Sequence, residues 1–211
     1  MLSLLPATAT TALKEWAVAV DAMAGHKQIL VLRKGGIHRE DKEFRILHNE
    51  FVLYPTYEHQ KAELVKDEYH DAIERTLAEN DVPGLVTVSY WCEVTEVFET
   101  RRQEVVDSVS PFHIWTSDYA LKRLHWRPKQ PLTLALLRVY RLQQPQALPV
   151  LDAYAGCKSW VDLGQEVPLG KMWPVLTDDE YEQRAKVIRD ALAAAGSEES
   201  PHAGPAGEAV G

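Results

Sequence analysis

Two short stretches carry the chemistry-bearing residues of this 211-residue chain. In the first, an apolar run ends in Arg33-Lys34-Gly35-Gly36; in the second, another ends in Tyr54-Pro55-Thr56-Tyr57-Glu58-His59-Gln60. Arginine and lysine recognise phosphate or carboxylate, and glycine lets a backbone approach a ligand closely. The first stretch lacks GxxxxGK[ST] and so is no P-loop. It is either a ligand-binding turn or a charged hairpin turn with glycines for geometry. Glu58 and His59 could form an acid/base pair, but neighbours on a strand point to opposite faces, so Pro55 must first turn the chain. The alternative is that Glu58 pairs with Arg33 or Lys34 while His59 satisfies backbone groups.

Three later stretches add candidates. His113 and Trp115 precede Lys122, Arg123, His125, Trp126 and Arg127, and aromatics among cations suit base stacking with phosphate contact. The alternative makes Trp115 and Trp126 core residues, a reading that suits Trp126 better than it suits Arg123. Cys157-Lys158-Ser159-Trp160 has no GxSxG elbow and reads as a structural strand. Cys92 and Cys157 read as reduced, buried thiols, too few for a disulfide framework or a four-ligand zinc site. No metal-ligand spacing appears and no cofactor is named by any motif.

The elements that must position these residues follow from pattern. Apolar spacing predicts a helix over 12–24, capped by Thr11 and ended by Gly25. Strands are expected at 29–32, at 51–54 (stopped by Pro55), at 86–94, at 132–142 and at 156–163. Alternation places Val86, Val88, Tyr90, Cys92 and Val94 on one face of the third, with Trp91 on its polar face. Helices are expected over 66–80, 99–109 and 117–124, and from a Thr177/Glu180 capping box to about 195. The fold class is α+β, with one globular domain over 11–195, an N-terminal extension over 1–10 and a disordered tail over 196–211.

Net charge is −8 but uneven. Residues 27–39 carry four cations and no acid, and residues 111–141 carry six cations against Asp118 alone. The whole chain should therefore not bind polyanions indiscriminately, although these two segments could form a basic face. Apolar runs are too short to span a bilayer, and MLSLLPATAT has no basic n-region, so the chain is expected to be cytoplasmic.

LKEWAVAVDA, ILVLRKGGI, FVLYPTYEHQ, HIWT, RLHWRPKQPLTLALLRVYRL, YAGCKSWVDL and PVLTDDEY, in this order over residues 11–192, resemble the bacterial domain of unknown function 1802 family. That resemblance implies no activity. Gly25-x-Lys27 before a strand ending at Arg33 also resembles the opening of PUA-like β-barrels, including the ASCH group. It departs from GxKxxExR, with Leu30 where the acid stands and Arg33 one place late. The resemblance implies a small mixed or antiparallel barrel with flanking helices that takes RNA, DNA or a nucleotide. In that reading Arg33, Lys34, Arg123 and Lys158 hold phosphate beside Gly35 and Gly36. Tyr57 or Trp115 stacks on a base, and Glu58 or His59 reads a base edge. An enzyme, hydrolase or nuclease, using Glu58, His59 and His113 is the second expectation. A non-enzymatic scaffold with an exposed apolar patch, suggested by Trp91, is the third.

Overall fold

The computed structural model describes residues 5–34, 48–58, 60–79, 82–154 and 159–196. Gly35, Gly36, His59, Cys157, Lys158 and the tail beyond 196 lie outside them.

The expected helix over 12–24 is two elements. Strand β1 spans Thr8–Trp16, and helix α1 spans only Ala17–Ala24. Thr8, Thr10 and Thr11 favour extended chain. The strand is also flanked on both sides, by β3 (Glu50–Thr56, parallel) and by β6 (Trp160–Pro168, antiparallel). Ala12 and Leu13 consequently enter different core clusters. Helix α1 has no polar face to report its period, since six of its residues are buried. Gly25 follows the helix, but the left-handed residue is His26 at φ 61°.

The remaining strands are β2 (Leu30–Arg33), β4 (Leu85–Thr100), β5 (Leu132–Pro149) and β7 (Met172–Pro174). They join one mixed sheet in the order β2-β5-β4-β3-β1-β6, with β7 paired to β5. Every pairing is antiparallel except β1 with β3. Strand β3 runs through Pro55 to Thr56 rather than stopping at the proline, because Pro55 stands opposite Glu15 in the parallel pair. Strand β5 is central, as its two apolar faces predict.

The sheet curls around a core that every strand of this path lines. Leu13, Val31, Phe51, Leu53, Cys92 and Leu137 meet there with Val20 and Met23 of α1. Among the described residues backbone pairing does not close the curl, since β2 and β6 are its two ends. A side chain links β2 to β1 instead. The Arg33 guanidinium donates to the Lys14 carbonyl at 2.5 Å and to the Glu15 carboxylate at 2.9 Å. First and fifth strands of the path are thus joined through one guanidinium.

Strand β4 departs from simple alternation. Register shifts lie between Val88 and Tyr90 and between Val94 and Glu96. An extra residue in one strand moves everything beyond it to the other face. Val86, Val88 and Trp91 therefore share one cluster, while Cys92 belongs to another. Trp91 is 1% exposed, which overturns its expected place on a polar face and with it the hint of an apolar docking patch.

Helices α2 (His70–Ala78), α3 (Gln103–Ser108), α4 (Ser117–His125) and α5 (Asp178–Ala194) complete the α+β fold. Helix α5 starts at the expected capping box. Arg138 of β5 ties that start to the sheet, donating to the Thr177 carbonyl at 3.1 Å and to the Asp178 carboxylate at 2.6 Å. No helix among the described residues is long and apolar enough to cross a membrane.

Candidate functional site

The cations of the first stretch point inward. Arg33 is buried against Glu15, which is buried too, and the partner is not Glu58. Lys34 is 2% exposed and donates to the Leu124 carbonyl in the last turn of α4. It thereby satisfies one of the carbonyls that a helix end leaves open. Burial first, and then the Arg101 guanidinium, lower the Lys34 pKa. Both side chains serve the fold, at the seam between β1, β2 and α4.

The other candidates separate. Glu58 is exposed. Tyr57 lines a cleft of about 400 Å³ beside α1, and none of Arg33, Lys34, Glu58 or His113 lines it. His113 is 2% exposed, and neither ring nitrogen has a hydrogen-bond partner among the described residues. Burial and the Lys66 ammonium push its pKa down to about 4. The main chain at Trp115 and at His113 itself opposes that shift without making a well-shaped hydrogen bond. Lys66 donates to the carbonyls of Ser110 and His113 at 2.6 and 2.7 Å, so this corner holds a neutral imidazole beside an internally used ammonium. A buried base without an acceptor or acid beside it is poorly placed for proton transfer. No group of three His, Cys, Asp or Glu side chains that could hold a metal occurs among the described residues.

Trp115 is enclosed. Its ring stacks on Tyr119 at 4.5 Å and meets Trp16 edge-on at 5.1 Å. Arg123 Nε donates to the Tyr119 hydroxyl at 3.0 Å, with the guanidinium 5.3 Å from that ring. Trp115 thus belongs to the core, as the alternative reading had it, and Arg123 is half-buried beside it.

Trp126 does not take the core reading. It is 44% exposed rather than core. Helix α4 ends immediately before it, and the chain turns outward at Trp126-Arg127-Pro128. The Arg127 guanidinium lies 4.5 Å from the Trp126 ring centroid. Arg127 holds φ at 53°, a left-handed conformation that costs a residue with a Cβ roughly 1–2 kcal/mol. Lys122, His125 and Lys129 are exposed around this turn. Arg101, also exposed, reaches it from the end of β4 and donates to the Lys129 carbonyl at 3.2 Å. Arg102 is partly neutralised by Glu104 at 3.6 Å.

Cations in the last turn of α4 complement the helix dipole, which accounts for Lys122 and His125 without a ligand. It does not account for an exposed indole capped by a strained arginine. Arg101 was absent from the candidates because the sequence gives no sign that β4 and the end of α4 finish side by side. The Arg101-Arg102 dipeptide at a strand end was the available signal.

The family model described as Domain of unknown function (DUF1802) matches residues 12–187. No curated protein matches the chain. A crystallised mutant ZmASCH protein from Zymomonas mobilis is similar at 12% identity and a TM-score of 0.37, over 87% of this chain and 99% of that one.

Proposed function

The chain belongs to the DUF1802 family, and from there we propose that it binds single-stranded nucleic acid on the basic, aromatic surface at the end of α4. The observation that carries this reading is the exposed Trp126 ring under Arg127, with Arg101, Lys122 and Lys129 exposed on the adjoining segments. Bases stack on an open indole whatever their sequence, while cations follow the backbone phosphates. A net charge of −8 works against indiscriminate polyanion binding, so binding needs a local basic patch such as this one.

Fluorescence anisotropy with labelled single-stranded RNA and DNA oligonucleotides tests it. Trp126→Ala should weaken binding by the loss of one stacked base, about 1–3 kcal/mol, at every sequence. Replacing Arg101 and Lys129 together by glutamine should weaken it further and flatten its salt dependence. Affinity that is unchanged in both variants, or absent from the wild type at low salt, sinks the proposal.

Arg127→Gly separates binding from folding. Glycine relieves the left-handed strain, while the lost cation–π contact costs about 0.5–1 kcal/mol at an exposed site. Thermal stability should therefore stay the same or rise, and nucleic-acid affinity should fall. A parallel loss of both would mark the turn as structural only.

A further inference from the structure

We propose that the cleft between α1, β3 and the start of β4 binds a small organic cation, an ammonium group carried on a flat apolar body. The site is separate from the surface at Trp126 and does not depend on it.

The cleft holds about 400 Å³, within the range of small-molecule sites. Its floor is aliphatic, from Ala17, Val20 and Ala24 of α1 with Leu53 and Pro55 of β3. Two tyrosines, Tyr57 and Tyr90, contribute rings to the lining. Val82 and Leu85, 55% and 38% exposed, stand at its edge, where an apolar body would cover them. A ring between such surfaces gains both burial and stacking.

The charged residues of the lining are acidic, although two guanidinium groups stand behind it, Arg75 at Asp21 and Arg141 5.7 Å from the Tyr90 ring centroid. Asp21 and Glu79 line the cleft, and no lysine or arginine is among its described lining residues. Asp21 is held by Arg75 at 2.6 Å. Glu79 has no cation partner among the described residues. It sits at the C-terminal end of α2, where the helix dipole adds negative potential. Glu79 also stands near enough to Tyr57 to help burial raise that hydroxyl's pKa, so Tyr57 remains a neutral ring with a hydrogen-bonding tip. Carboxylate, helix C-terminus and aromatic faces all attract an ammonium ion and repel phosphate. Tyr90 is positioned from outside the lining by Arg141, whose guanidinium donates to its hydroxyl at 3.1 Å. Ser89 and Thr87 supply hydroxyls for polar substituents on the body.

Tryptamine and indole-3-acetate share a ring and differ in the sign of the charge. Titrated calorimetrically into the full chain, tryptamine should bind saturably with a submillimolar Kd. Indole-3-acetate should bind at least about tenfold more weakly. Glu79→Gln should remove most of that discrimination. Tyr57→Phe should keep binding, and Tyr57→Ala should lose it. Trp126→Ala should leave tryptamine binding untouched, which separates this site from stacking on the exposed indole. Equal binding of both probes overturns the proposal. So does the absence of saturable tryptamine binding up to about 5 mM. Affinity that survives both Glu79→Gln and Tyr57→Ala also overturns it.

Discussion

Arg33→Met lowers the unfolding free energy by about 3–5 kcal/mol, because it leaves the Glu15 carboxylate buried without its counter-charge. Glu15 and Arg33 are 7% and 9% exposed, and the guanidinium also satisfies the Lys14 carbonyl. Water cannot replace what is removed. Pairing Arg33→Met with Glu15→Leu should restore stability to within about 1–2 kcal/mol of wild type, since an apolar pair needs no partner. Urea denaturation of the four proteins in this cycle measures the coupling directly. A single-variant cost below about 1 kcal/mol would place the pair with weak surface ion pairs and refute its role in closing the curl.

Acid is expected to weaken the fold through His113. At pH above 6.5, the ordinary value, the imidazole is neutral in both folded and unfolded chains, and its burial adds no pH-dependent cost. Between 6.5 and about 4 the unfolded chain takes up a proton that the buried ring refuses. Stability is therefore complete above pH 6.5 and is lost as pH falls through this window. The loss amounts to about 3 kcal/mol. The Lys66 ammonium adds to the refusal, since a second cation beside it is repelled. Denaturant midpoints for wild type and His113→Leu at several pH values between 4 and 7.5 isolate the effect. The variant should have the flatter profile, and parallel profiles would show that His113 does not titrate as its surroundings dictate.

These two residues show what one sequence makes legible. Strand β5 is readable because apolar residues fill both of its faces, and α5 because Thr177 and Glu180 form a local capping box. Both rest on neighbours in sequence. The fate of Arg33 depended on Glu15, which lies on a strand whose apolar spacing imitates a helix. No local pattern could show that β1 returns beside β2. The burial of Trp91 depended on bulges that a regular alternation conceals. Trp126 stood open between stacking and core, and the outward turn at Arg127 that decides it has no local pattern. Of the cations, the sequence could name the residue types but not tell which charges the protein spends on itself. Arg33, Lys34 and Arg138 are spent inside, while Arg101, Lys122 and Lys129 are left outside.

The guanidinium between β1 and β2 also sets how the molecule can breathe. A barrel closed by a ladder opens only by unzipping successive backbone hydrogen bonds. Here, among the described residues, the polar joint between β1 and β2 is a single side chain, so the seam can part and reseal while every strand keeps its own partners. Excursions of that kind belong to the sub-global motions whose free energy lies below that of complete unfolding. Helix α1, which joins β1 to β2 and forms part of the wall of the tyrosine cleft, would ride on such a motion. A parting of the seam would then shift one wall of the cleft, so the residue that steadies the fold steadies the cleft with it.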